Sequence, residues 1–216
     1  MDQTRELMRQ LEAVGLEVAP AAIGQLLLLQ AELLHWNRTY NLTAISEPHE
    51  ALEKHLVDSL TLLPHLGSVN TLLDIGSGAG FPALPLKLVR SGLQVVSVDA
   101  VAKKIRFQKH VVRKFGLAGF TAWHGRAEEL PTANLMPGGF ERVVARAFAS
   151  LPKLLELARP CLAPDGQVIA MKGPEGEREL AEASDWLQQN GFRCRELIEL
   201  RLPASGSIRQ LLFFDL

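Results

Sequence analysis

The apolar run Thr71-Leu72-Leu73-Asp74-Ile75 ends in Gly76-Ser77-Gly78-Ala79-Gly80-Phe81, and this junction constrains the fold more than any other feature of the chain. A short apolar run is strand-like, and glycines at alternate positions permit a sharp turn with close approach to a ligand. Helix-like sequence follows at about 82–91. Further apolar runs at 94–99, 120–123, 142–145 and 167–171 alternate with helix-like segments at about 102–115 and 151–162. Such alternation predicts a parallel sheet with crossover helices. A Glu-rich helix is expected at 175–190. Strands at about 193–200 and 208–214, joined through 203–207, then form an antiparallel hairpin. The expectation is an α/β fold with a seven-stranded, mostly parallel sheet whose last strand is antiparallel.

Residues 1–66 carry helix periodicity and no strand pattern. Leu7, Met8, Leu11 and Val14 share a side of a helix at 4–14, and Pro20 opens a longer helix to about Tyr40. A third is expected from Glu47 to about Leu63, with Ser46 as its N-cap and Pro48 in its first turn. The chain thus divides into a helical extension, 1–66, and a Rossmann-like domain, 67–216. A length of 216 residues suits this and is short for two full domains. Hydrophobic residues at 47% and charged residues at 22% place it among globular chains. No apolar run approaches the ~20 residues of a membrane span. The segment Met1 to Glu6 has no apolar signal core. Cys161 and Cys194 make neither a disulfide framework nor a four-ligand zinc site, and His35, His49, His65, His110 and His124 lack ligand spacing. A cytoplasmic protein without metal or membrane partner is expected.

The glycine turn narrows the ligand. A dinucleotide fingerprint needs glycine at position 81, where Phe81 stands, and here an acid, Asp74, precedes the turn. The pattern suits a nucleoside without a pyrophosphate. S-adenosylmethionine is one, and its sulfonium is a cation that Asp74 favours electrostatically. Asp99, closing the second strand, is placed to accept from ribose hydroxyls. In Gly125-Arg126-Ala127-Glu128-Glu129, backbone amides or the Glu128 side chain can read an adenine edge. Taken singly, each signal also fits a tight turn or a helix cap. Their order on consecutive strands favours a nucleoside cofactor, with Asp74, the turn glycines Gly76, Gly78 and Gly80, Asp99 and Glu128 as candidate contacts.

Formal net charge is -1. Its distribution is uneven. Residues 100–127 contain Lys103, Lys104, Arg106, Lys109, Arg113, Lys114 and Arg126 and no acid, whereas 1–74 hold ten acids against four Lys/Arg. Screening confines such a field to about 10 Å, so the stripe acts locally on a polyanion. A solvated helix face beside an acidic neighbour gives the same pattern.

Several motifs resemble the bacterial small-subunit ribosomal RNA guanine-N7 methyltransferases, the RsmG or GidB family. They are His35-Trp36-Asn37, Tyr40-Asn41-Leu42-Thr43, His55-Leu56-Val57-Asp58-Ser59-Leu60 and Leu73 to Pro82, then Lys103-Lys104, Gly125 to Glu129, Ala145-Arg146-Ala147 and Ala170-Met171-Lys172-Gly173. Ala83 and Ala100 depart from the family pattern, which carries glycine and serine there. The resemblance implies a class I S-adenosylmethionine-dependent methyltransferase. It further implies cofactor contacts at Gly76, Phe81, Ala127, Glu128 and Arg146, and a guanine in the 530-loop region of 16S RNA as target. The implied partner is 16S RNA or the small subunit. From the basic segment, Lys103, Lys104 and Arg126 are the candidate RNA-binding residues, and a monomer is expected. Two other readings keep the same fold: a small-molecule methyltransferase, and a noncatalytic cofactor-sensing module that docks on ribosomes.

Guanine N7 offers a lone pair and no proton to remove, so no general base is required. An exocyclic-amine enzyme usually carries an Asp/Asn-Pro-Pro-aromatic loop after the fourth strand, where this chain has Ala145-Arg146-Ala147-Phe148. Carbon-5 methylation needs a nucleophilic cysteine. Cys161, at a predicted helix end, reads as a buried structural thiol, as does Cys194. Arg146 and Lys172 are the candidate catalytic residues. Arg146 can bracket a base or phosphate, or pair with Asp74 or Glu128. Lys172 can hold phosphate or orient guanine, or be an ordinary surface lysine. Phe81 can stack on a ligand or pack under the loop. His55 and Asp58, three apart, read as helping to close the site or as a helix-surface hydrogen-bonded group. Trp36 and Tyr40 read as core.

Overall fold

The computed structural model describes residues 2–133 and 135–216. Asp2 caps the first helix, α1 (Gln3–Ala13), by accepting from the Thr4 N–H at 3.1 Å. Pro20 starts α2 (Pro20–Tyr40), and Asn41 ends it in a left-handed conformation, φ 47°. The third helical segment differs from expectation. Glu47, not Ser46, is its N-cap, with no side-chain cap bond. It consists of α3 (Pro48–Ala51), a π-helical stretch (Leu52–Val57) and α4 (Asp58–Leu60), followed by a 3-10 turn at Leu63–His65. Hydrophobic spacing does not distinguish a π stretch from an α-helix over so few residues.

The sheet follows in the expected sequence. Its strands are β1 (Thr71–Ile75), β2 (Gln94–Asp99), β3 (Phe120–His124), β4 (Phe140–Arg146), β5 (Leu162–Lys172), β6 (Arg193–Arg201) and β7 (Ile208–Asp215). Their spatial order is β3-β2-β1-β4-β5-β7-β6, with β7 antiparallel to both neighbours and the pairs among β1 to β5 parallel. β5 starts five residues earlier than its apolar run, because Pro164-Asp165-Gly166 has turn composition yet lies inside the strand, with Asp165 at φ 60°. The connecting helices are α5 (Ala83–Val89), α6 (Ala102–Phe115), α7 (Leu130–Ala133) and α8 (Leu151–Ala158). The expected helix at 175–190 is α9 (Gly176–Glu182) and α10 (Ser184–Gln189), separated at the buried Ala183.

Strand alternation sends side chains to two cores. Leu72, Val95, Val144 and Ile169 face one core together with Leu7 and Leu11 of α1, Leu26 and Leu33 of α2, Leu56 of the π stretch, and Phe107 of α6. Leu73, Val96, Val143 and Val168 face the other, under α8 and α10. The N-terminal helices therefore share a core with the sheet. Polar contacts pin them further. The buried Glu53 carboxylate accepts from the Ala204 and Ser205 N–H groups in the β6–β7 turn, at 2.5 and 3.0 Å. Glu32 of α2 accepts from His110 at 2.7 Å and from Lys114, both on α6.

β2 and β3 lie to one side of β1, and β4 returns to the other. This reversal leaves a crevice at the carboxyl ends of β1 and β4, where open α/β sheets bind ligands.

Candidate active site

The turn after β1 fills one side of that crevice. Gly76 (φ 69°) and Gly78 (φ 60°) adopt backbone conformations that disfavour side chains. A Cβ on Gly76 would stand 2.3 Å from the Phe148 ring, whereas one on Gly78 would meet open space, with Lys104 Nζ 4.0 Å away. The turn is held from behind. Ser77 N–H donates to the Val98 carbonyl at 2.9 Å, Gly78 N–H donates to Asp99 Oδ2 at 2.9 Å, and Gln108 Nε2 on α6 donates to Ser77 Oγ and to the Gly78 carbonyl. Gln108 is fully buried. Its role was not legible in the sequence, where it sits as one polar residue in a basic helix.

Asp74 is fully buried behind the turn. Its Oδ2 accepts from the Ala83 N–H at 3.2 Å, and its Oδ1 has no partner among the described residues. Burial pushes its carboxyl up to about 7, against the Ala83 hydrogen bond and the nearby Arg146. Asp99 is nearly buried. It accepts from Gly78 through Oδ2 and from Val101 N–H through Oδ1 at 2.7 Å, so it serves both the turn and the start of α6.

Two hollows open at the crevice. One, about 240 Å³, is lined by Gly76, Gly78, Phe81, Lys104, Thr43 and Arg146 among others. The second, about 550 Å³, is lined by Asp58, Arg146, Met171, Lys172, Glu179 and Arg209 among others. His55, Arg146 and Ala147 line both. Arg146, at the end of β4, stands at the junction. Its Nη1 donates to the Lys54 carbonyl at 2.8 Å, within the π stretch, and to Asp58 Oδ2 at 3.2 Å. Asp58 Oδ1 accepts from Arg209 Nε at 2.9 Å. Asp58 is thus clamped between two arginines, and Arg146 pairs with it, not with Asp74 or Glu128. With Asp58 2% exposed and His55 7%, these are not surface groups as one sequence reading had them. π-helical turns recur at functional sites because they reaim side chains and carbonyls.

The His55 ring lies against Phe81 at a tilt of 31°, with centroids 4.8 Å apart, and its Nε2 lies 3.2 Å from Thr43 Oγ1. Burial, and secondarily Arg146, lower its pKa to about 3. The Arg146 guanidinium carbon is 5.9 Å from the Phe81 ring centroid. Asn37 Oδ1 accepts from the Leu42 and Thr43 N–H groups at 2.7 and 2.9 Å, which folds the chain after α2 into the first hollow. Tyr40 is exposed and Trp36 half-buried, so the expected core role fails for Tyr40, whose ring lies against Trp36 at the surface.

Lys172 at the end of β5 is not an ordinary surface lysine. It is 8% exposed, and its Nζ donates to Glu179 Oε2 at 2.7 Å and to the Ala149 carbonyl at 3.0 Å. It thereby holds the β4–α8 loop, where Ala147 (φ 50°) and Ala149 (φ 36°) are strained. Such residues cost about 1–3 kcal/mol each and cluster at active sites. Of the remaining sequence candidates, Gly80 and Asp99 support the turn, while Ala127 and Glu128 lie in a 3-10 turn after β3, outside both hollows. Lys103 and Arg126 also lie outside both. Cys161 is buried in a 3-10 turn, and Cys194 is half-buried in β6; burial raises both thiols, which removes nucleophilic character. Among the described residues, no cluster of three or more His, Cys, Asp or Glu can hold a metal. No helix among the described residues is long and apolar enough to cross a membrane.

Sheet order, antiparallel β7 and a glycine turn at the switch point define the class I S-adenosylmethionine-dependent methyltransferase fold. A SAM-dependent methyltransferase from Aquifex aeolicus shares it, with a TM-score of 0.56 at 21% identity, covering 77% of this chain and 93% of that one. The chain belongs to the rRNA small subunit methyltransferase G family, GidB, whose model matches residues 22–204. Ribosomal RNA small subunit methyltransferase G of Syntrophotalea carbinolica is 46% identical over 205 residues, 95% of this chain and 94% of the relative. That of Geobacter metallireducens is 42% identical over 214 residues, 98% and 96%.

Proposed function

We propose that the protein methylates N7 of a guanine in 16S ribosomal RNA, in the 530-loop region, using S-adenosylmethionine. One observation carries the choice of acceptor atom. The ionisable groups between the two hollows are poorly suited to remove a proton. Asp58 is held by Arg146 and Arg209, Glu179 is paired with Lys172, and His55 has a pKa of about 3. An acceptor that must lose a proton needs a base, and guanine N7 does not.

The residues present fit the cofactor. The turn leaves open space at Gly78, its amides are fixed from behind, and the nearly buried Asp99 carboxylate offers acceptor capacity for a ribose. S-adenosylmethionine supplies an electrophilic methyl group. In this reading Gly76, Gly78 and Phe81 floor the first hollow, and Asp74, whose raised pKa a sulfonium in front of it would lower, lends a negative field from behind once ionised. Ala127 and Glu128 bound the adenine side. Arg146 brackets the guanine at the junction and Lys172 positions the loop carrying Ala147. Alignment alone supplies much of the rate, since effective molarities of about 10⁵ M correspond to roughly 7 kcal/mol. Lys103, Lys104 and Arg126 contact phosphate. The protein works as a monomer in the cytoplasm, with 1–66 as the helical extension to a domain at 67–216.

The test is labelled methyl transfer to 16S RNA from cells lacking the gene, with the modified nucleotide mapped. One 7-methylguanosine in the 530-loop is expected. Transfer to another atom, or only to a small molecule, overturns the assignment.

A further inference from the structure

A third hollow, about 770 Å³, lies outside the crevice between α6 and the edge strand β3. Trp36, Arg106, Lys109, Arg113, Thr121 and Trp123 line it. The basic residues of α6 divide into distinct groups. His110 and Lys114 pair with Glu32 and fasten α6 to α2. Lys104 lines the hollow over the glycine turn. Arg106, Lys109 and Arg113 are exposed and make no ion pair or side-chain hydrogen bond among the described residues. Their i, i+3, i+7 spacing puts them on one helix face.

We propose that this hollow is a second RNA-docking surface, gripping a strand next to the one that presents the target base. The proposal rests on the rRNA reading above and adds a site to it. The three cations have no acid beside them on α6, so they remain available to a polyanion. From Arg106 to Arg113 the helix rises about 10 Å, the span of about three stacked nucleotides at roughly 3.4 Å each. Trp36 and Trp123 add aromatic surface, which nucleotide bases use for stacking. α6 starts beside the glycine turn and ends at Phe115, about 21 Å away, so one rigid helix links the methyl-transfer crevice to the hollow. An acidic protein face would also match the charge. The aromatic lining, and α6 as an element common to this hollow and the one over the glycine turn, favour RNA.

The test compares wild type with the Arg106→Gln/Lys109→Gln/Arg113→Gln variant on protein-free 16S RNA over a series of KCl concentrations. Each phosphate contact contributes about 0.7–0.9 to the slope of log affinity against log salt, so losing three should reduce the slope by about 2–3. KM for RNA should rise about tenfold or more, from that loss of phosphate contacts. kcat at saturating RNA, S-adenosylmethionine affinity and melting temperature should stay at wild-type values, and Arg178→Gln on α9 should change nothing. Independently, bound RNA should shield Lys109 of the wild type from acetylation. An unchanged slope and KM, or equal Lys109 labelling with and without RNA, overturns the proposal while leaving methyl transfer by wild type intact. Weakened binding to assembled small subunits only would assign the hollow to a protein and likewise overturn it. Failure of wild type to methylate any RNA would remove the underlying reading itself.

Discussion

Arg146 is one of three residues that line both hollows, and its position is fixed by chemistry at a distance from the sheet. Its Nη1 answers to the Lys54 carbonyl and to Asp58, which Arg209 grips from the other side. Arg146→Lys keeps the charge but loses the forked geometry. We expect kcat to fall about 100-fold, the scale of a 1 Å misplacement, with cofactor affinity little changed, as read by single-turnover kinetics and calorimetry. Asp58→Asn should leave Arg146 and Arg209 side by side without their shared anion and lower kcat in the same direction. His55 gives a pH signature. Its folded pKa of about 3 lies below the ordinary 6.5, so the unfolded chain binds the extra proton. The stability it contributes is complete above pH 6.5 and is lost as pH falls towards 3. His55→Phe should flatten that part of the acid limb in denaturant titrations. Asp74 has the opposite sign. Its carboxyl at about 7 retains a proton that the unfolded chain releases near 3.8, so stability falls as pH rises from about 4 to 7. Asp74→Asn should remove that fall. If the two variants show the same pH dependence as wild type, these burial arguments fail.

At the level of elements, the strands were the most legible part of the chain. Leu72 to Ile75 and Val95 to Asp99 carry a strand's apolar content, and the glycines after Ile75 mark its end without ambiguity. What the sequence concealed has physical causes. A π turn at Leu52–Val57 needs one extra residue per turn, too small a change for hydrophobic spacing to reveal. Pro164-Asp165-Gly166 has the composition of a loop and became strand through pairing at the far end of β5. The candidate site was legible where it is built by local motif, at the Gly76 to Phe81 turn and the Asp99 strand end, and hidden where it is built by meetings across the fold. Gln108 behind the turn and Arg209 against Asp58 are such meetings, separated by 31 and 151 positions from their partners. The turn itself makes a prediction. Gly76→Ala places a Cβ into the Phe148 ring at positive φ, where an L residue costs about 1–2 kcal/mol before the collision is counted. Loss of S-adenosylmethionine binding with the melting temperature lowered by only a few degrees is the expected result, from calorimetry and thermal scans.

For the molecule as a whole, the N-terminal helices and the sheet form one cooperative body. Leu7, Leu11 and Leu26 belong to the same core as Leu72, Val144 and Phe213. A fragment starting at residue 67 would expose that sheet face, so it should unfold without a sharp transition in urea, whereas the full chain should show one. Glu53 adds a polar lock between the two regions. Glu53→Gln weakens two charge-assisted bonds to the β6–β7 turn and should cost about 2 kcal/mol, roughly 4–8 °C in melting temperature. The position of β7 has a temporal consequence. It is inserted between β5 and β6, yet a ribosome makes it after every other strand of the sheet. Until it emerges, β5 presents a bare hydrogen-bonding edge, a hazard for mispairing, and Asp58 waits without Arg209. Under the proposed function, the acceptor side of the crevice is therefore the last part of the molecule to be assembled.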